Sequence, residues 1–250
     1  MCAHFSSFLP RIFICPSLAH YILWKGGIQH GDISVLNLMH RNGTGVLNDF
    51  DLAPLPTAPG NLHSRRFDHT GTTLFLALDL LKGEAWAGKV ERRYRHDLES
   101  FLWVLMWITA CYDDGVETIP ASHRRLLNED VKACLAGKSH MLRDPNVIFR
   151  CITTSYASLT VVTMILREYW ADLHSQWANQ MHFSALDRFV QSAKGLPPSQ
   201  PVILEPSDEE VLLNMLRVFT SQPDVDLRPS GLLDDLPLTL FPANSSGLSN

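Results

Sequence analysis

The chain has 250 residues, 46% of them hydrophobic and 19% charged, which is enough for one sizeable core. Its net charge of −5 argues against nucleic acid as a partner, because such proteins carry a basic face. The five cysteines include no C-x-x-C pair, which argues against a disulfide framework and a zinc finger and points to an intracellular, reducing compartment, cytoplasmic or nuclear.

The first 24 residues are apolar but interrupted by Pro10, Arg11 and Pro16, and no basic segment precedes them, so no signal peptide is expected. Residues 18–25 (LAHYILWK) read as the end of a helix stopped by Gly26-Gly27. Residues 28–50 read as strand, turn, strand. Asn42-Gly43 marks the turn and residues 46–50 the second strand. Residues 51–80 hold Pro54, Pro56, Pro59, Gly60 and Gly71, and read as a long loop of the kind that carries function. Residues 96–112 read as a helix apolar on nearly every face, hence central to the core. The apolar run within it, residues 101–111, is too short to cross a bilayer, and no membrane partner is expected.

Residues 123–150 mix polar helix with loop. Residues 156–182 read as a long amphipathic helix whose buried stripe is Trp170, Leu173, Trp177 and Met181. Pro197, Pro198 and Pro201 break the chain. Ser207 and Glu210 then form a capping box that opens a helix over 208–220. Residues 232–250 lack periodicity and read as a loose tail. The doublets Arg65-Arg66 and Arg92-Arg93 read as solvated surface. The expected class is mostly α with a small β patch near the N-terminus.

That patch carries the chemistry. Moving the γ-phosphoryl group of ATP needs a carboxylate to orient the acceptor hydroxyl and oxygen ligands to hold Mg²⁺ on the phosphates. His30, Asp32 and Asn37 fit H-x-D-x-x-x-x-N, and Asp49-Phe50 follows a strand later. Asp32 and Asn37 share one tight loop, and Asp49 lies across the Asn42-Gly43 turn, so the three can converge. The competing view is that Asp and Asn are here only as turn formers, with His30 a core residue.

Further along, GTTLFLALDLL (71–81) is similar to the end of a protein-kinase activation segment. Thr72, Phe75 and Ala77 match, while Leu78 stands for its proline and Asp79 for its glutamate. HGDIS (30–34), DFDLA (49–53) and HDLES (96–100) together resemble the fungal-type protein kinase family. The resemblance implies a protein-kinase-like C-terminal lobe over 18–231, with catalytic loop 28–37 and activation segment 49–79. Residues 1–17 stay unassigned. It implies ATP and Mg²⁺ as cofactors and a protein substrate. Asp32 would orient or deprotonate the acceptor, with Thr72 contacting it. Asn37 and Asp49 would bind Mg²⁺, and Ser34 stands at a phosphate-contacting position that is often lysine. His30 and Asp97 would be structural supports, Asp97 by holding the catalytic-loop backbone. Asp79 would be a third support, with Arg228 as its candidate partner. Gly31 stands for an arginine that reads activation-loop phosphate in many kinases, and Asp51 for the glycine of D-F-G.

Only 29 residues precede His30, and they contain no G-x-G-x-x-G, so the chain is expected to be a kinase C-lobe whose nucleotide-covering lobe is not in this sequence. Two other functions remain open on these residues: a catalytically inactive binding or scaffold lobe, and a small-molecule phosphotransferase of the aminoglycoside or choline kinase type.

Overall fold

The computed structural model describes residues 5–42, 44–51, 71–127, 130–197 and 205–221. The first helix, α1 (Phe5–Lys25), runs on through Pro10 and Pro16, where the sequence suggested a break. An interior proline costs about 3 kcal/mol. Burial of Ile12, Phe13, Ile14 and Leu18 outweighs it, at about 1.5–3 kcal/mol for each large apolar side chain. The Ser17 hydroxyl also donates to the Phe13 carbonyl beside Pro16. Residues 5–17 therefore share one helix with 18–25. Gly27, at φ 87°, ends it, and the Ile28 amide returns to the Leu23 carbonyl at 2.9 Å.

Strands β1 (Leu38–Arg41) and β2 (Thr44–Leu47) pair antiparallel, Leu38 opposite Leu47 and Arg41 opposite Thr44. Asn42 takes a left-handed turn conformation, φ 50°. The second strand ends at Leu47, earlier than expected, because the backbone of Asn48 turns to the neighbouring loop. Of the loop expected over 51–80, residues 52–70 lie outside the described residues. Its far end is helical: α2 (Leu78–Leu81) is followed by α3 (Gly83–Trp86).

Helix α4 (Tyr94–Cys111) is the axis of the fold, buried at every position except Ile108. It packs against α1 and against two helices that come later in the chain, α8 (Thr160–Ala193) and α9 (Asp208–Thr220). The Tyr94 hydroxyl donates to the Ser17 carbonyl at 2.7 Å, and Phe13 stacks on Phe219. Between α4 and α8 come a two-residue hairpin, β3 (Tyr112–Asp113) with β4 (Val116–Glu117), and the helices α5 (Ala121–Arg124), α6 (Val131–Arg143) and α7 (Pro145–Phe149). Asp130 and Asp144 cap α6 and α7. The Ser207–Glu210 capping box opens α9 as read from the sequence.

Helix α8 is longer than expected. Trp170, Leu173 and Trp177 are buried, but Met181 is 50% exposed, so the buried stripe stops one turn early. Beyond Trp177 the helix continues with Phe183, Leu186 and Phe189 exposed. Its periodicity persists there, but no other described element covers it. Among the described residues, no helix is long and apolar enough to cross a membrane.

Candidate active site

The loop between α1 and β1 brings Asp32, Asn37 and His30 together. Thr72, from the far side of the long loop, donates its amide to Asp32 Oδ1 at 2.8 Å and its hydroxyl to the same oxygen at 3.0 Å. The Asn37 side-chain amide donates to the Asp32 carbonyl at 2.9 Å and to Asp32 Oδ2 at 3.3 Å. An ionised carboxylate has about four acceptor sites. Three are taken, and one on Oδ2 remains on a residue that is only half-buried.

His30 ties this loop to the hairpin. Its Nδ1 accepts the Asp32 amide at 3.1 Å, and its Nε2 donates to the Asn48 carbonyl at 2.8 Å. Burial pushes its pKa below the ordinary value, so the ring is neutral and can accept at one nitrogen while donating at the other. The Asn48 amide donates to the Asn37 carbonyl at 2.8 Å. Both backbone groups of Asn48 are thus committed to the loop, and Asp49 follows at φ 63°, a left-handed conformation Asp tolerates better than most residues. Asp49 is exposed.

These residues fit a magnesium ion shared with phosphates. The Asn37 nitrogen is used on Asp32, which leaves its oxygen as the free acceptor, and Asp49 adds a carboxylate. Magnesium takes one or two protein oxygens in such sites. No group of three or more His, Cys, Asp or Glu placed for a metal occurs among the described residues. Ser34 does not fit its expected place on phosphate. It is 3% exposed, because the turn closed by the Asn37 amide on the Ser34 carbonyl folds Ile33 and Ser34 inward and leaves Leu36 outward.

Beneath the loop lies a buried charge pair. Asp97, wholly buried in the first turn of α4, accepts from Arg92 Nη2 at 2.8 Å and Nε at 3.2 Å. His20 Nε2 from α1 lies 3.2 Å from its other oxygen, and the Gly31 amide reaches the same oxygen at 3.5 Å. Burial alone would raise the Asp97 pKa. The Arg92 guanidinium and His20 outweigh it and hold the carboxyl well below its usual range. Arg92 Nη2 also donates to the Gly31 carbonyl at 2.7 Å. The reading of Arg92 as solvated surface is therefore overturned: it is 3% exposed. A buried Asp at 97 demands a cation, and an arginine five residues upstream was the available signal.

The stretch from Leu76 to Leu78 is anchored by residues the sequence left without a role. Glu99 accepts the Leu78 amide at 2.9 Å, the Trp103 indole N–H at 3.0 Å and His174 Nε2 at 3.0 Å. Burial would raise its pKa, but His174 and Lys138 hold it down; Glu99 in turn raises His174 against the opposing effect of burial. Lys138, fully buried, donates to the Leu76 carbonyl and lies 4.3 Å from the Trp103 ring centroid, its pKa lowered by burial to about 8. Asp79 pairs with Lys82 at 2.6 Å and lies 3.9 Å from Arg95. Arg228, its expected partner, lies outside the described residues.

A carboxylate held by a threonine from the next segment, an asparagine five residues on, and a buried Asp under the loop are brought together in a mostly helical structure. Residues 18–109 match the fungal protein kinase family. The resemblance carried by HGDIS, DFDLA and HDLES is borne out over that stretch, as is the mostly α class. No curated protein and no solved structure matches the chain.

Proposed function

We propose that this lobe serves an ATP-dependent serine/threonine protein kinase, transferring the γ-phosphate to a protein hydroxyl once the nucleotide is covered by an ATP-binding lobe. The observation that carries this is Asp32. Its carboxylate is fixed on three sides by Thr72 and Asn37 and keeps one acceptor position open. An acceptor Ser or Thr hydroxyl donating there has its oxygen aimed by a preset geometry, and positioning supplies most of the rate in phosphoryl transfer. Bound Mg-ATP would supply the transferred phosphoryl group and the charge that neutralises it. Asn37 and Asp49 are the residues to hold the metal.

A protein acceptor is favoured over a small molecule by the segment after Thr72. Residues 76–78 are fastened to the core through Lys138 and Glu99, which supports the protein-substrate platform that the resemblance implies for this segment. The test is transfer of labelled phosphate from Mg-ATP by the protein isolated from its own cells, offered Ser/Thr peptides, an aminoglycoside and choline. Peptide labelling is expected, and Asp32→Asn should lower it roughly 10²–10⁴-fold. Labelling of choline or the aminoglycoside alone would make it a small-molecule phosphotransferase. No transfer and no Mg-ATP-dependent stabilisation would make it a binding lobe.

A further inference from the structure

We propose that Arg92 is a positioning residue for Asp32, acting through the peptide bond between Gly31 and Asp32. The inference rests on Asp32 being the acceptor-orienting carboxylate. A peptide unit is planar and rigid, so fixing its oxygen and its N–H fixes the plane. Here the oxygen, Gly31 O, is held by Arg92 Nη2 at 2.7 Å, and the N–H, Asp32 N, is held by His30 Nδ1 at 3.1 Å. The direction in which the Asp32 side chain leaves the backbone follows from that plane.

Arg92 is itself fixed. Two of its nitrogens lie on Asp97 Oδ1, and it is 3% exposed. The Gly31 amide meets the other Asp97 oxygen, so the Arg92–Asp97 pair holds both polar backbone groups of Gly31. Gly31 sits at φ 82°, where a side chain is strained, and the site thus has a flexible residue clamped at both ends. The same carbonyl also receives the next segment. A Cβ on Gly71 would fall 2.7 Å from Gly31 O, so Gly71 packs directly on the oxygen that Arg92 holds. Thr72, the next residue, then donates twice to Asp32. Arg92 therefore sets both the carboxylate and the platform from which Thr72 reaches it.

The guanidinium fork is what this needs. A lysine would keep the charge beside Asp97 but, as a single point donor, could not serve Asp97 and Gly31 O in one fixed geometry. Amide hydrogen exchange on the full chain, wild type against Arg92→Lys, reads this without requiring activity. The expected result is exchange faster by about tenfold at Asp32 and Thr72, the factor set by one hydrogen bond to a charged group, with the amides of 98–107 in α4 unchanged. Where the wild type transfers phosphate, kcat should fall roughly 10²-fold with the acceptor KM held, as for a small misplacement of a reacting group. Wild-type exchange at Asp32 and Thr72 overturns the proposal. So does equal acceleration throughout α4, which would mean a merely structural arginine. If Arg92→Lys does not fold, Gly71→Ala presses the same carbonyl from the other side. Faster exchange at the Asp32 amide then supports the proposal, and an unchanged rate refutes it. A wild type that transfers nothing removes the kinase assignment and leaves the exchange result to decide this one.

Discussion

Thr72 gives Asp32 two bonds, and only one comes from its side chain. Thr72→Ala should keep the backbone bond and lose the hydroxyl. Bonds to charged groups contribute about 1.5–3 kcal/mol when shielded, and this one is exposed, so a loss of about 1 kcal/mol, or roughly fivefold in kcat, is expected from steady-state kinetics. Glu99 is a different case. Glu99→Ala strips His174 of its partner and frees the Leu78 amide in the interior, and it also removes the carboxylate that faces buried Lys138. Breaking buried pairs costs about 3–5 kcal/mol, which urea unfolding should show, whereas Glu99→Gln keeps an acceptor for Leu78 and should cost less. The legibility of these residues in sequence follows from distance along the chain. His30, Asp32 and Asn37 act within one loop, so their spacing announced them. Arg92 and Lys138 act on backbone groups 61 and 62 residues away, and no local pattern records such a partner.

The helix ends at Gly27 and Ser207 were legible because they are local chemistry, and the full extents of α1 and α8 were not. The α9 capping box is complete, with the Ser207 amide on Glu210 Oε2 at 2.7 Å and the Glu210 amide on Ser207 Oγ at 3.2 Å. Ser207→Ala should cost about 1 kcal/mol, seen as a lower urea midpoint with an unchanged slope. An unchanged midpoint would mean that packing of Val211, Leu212, Met215 and Phe219 alone holds the helix. Pro16 shows the opposite relation. Proline is a sound local signal for a break, and in α1 the burial around it overrides that signal. The Met181 expectation failed for the same kind of reason: periodicity states which face of a helix is apolar, and only the tertiary arrangement states how far the covering element extends.

At the scale of the whole molecule, composition and pattern made the helical class and the central helix legible, because a run that is apolar on every face has nowhere to sit but the core. What they did not show is how many ionisable groups that core contains. Three buried histidines are held neutral by desolvation: His30 below its ordinary value, His123 at about 4 and His96 at about 3, the last pushed further by Arg95. Each has a folded pKa depressed below that of the unfolded chain, so between the two values the unfolded state binds more protons. Stability is then present above pH about 6.5 and lost as pH falls from there, by roughly 1 kcal/mol per pH unit for each such histidine. His174 acts with the opposite sign. Its pKa is raised by Glu99, so its contribution is present below pH about 6.5 and lost as pH rises through the folded value. The lowered carboxyls of Asp79, Asp97 and Glu99 add a loss below pH about 5, where the unfolded chain begins to take up their protons. The window from pH about 6.5 to 5 therefore isolates His30, His96 and His123, because the His174 contribution is constant below pH about 6.5. Urea unfolding across it should show a midpoint that falls steadily with acid, and His123→Phe, which keeps a ring against Trp107 and removes one proton-binding site, should flatten the slope. A midpoint level from pH 7 to 5 in the wild type would mean that these rings are not buried neutral in solution.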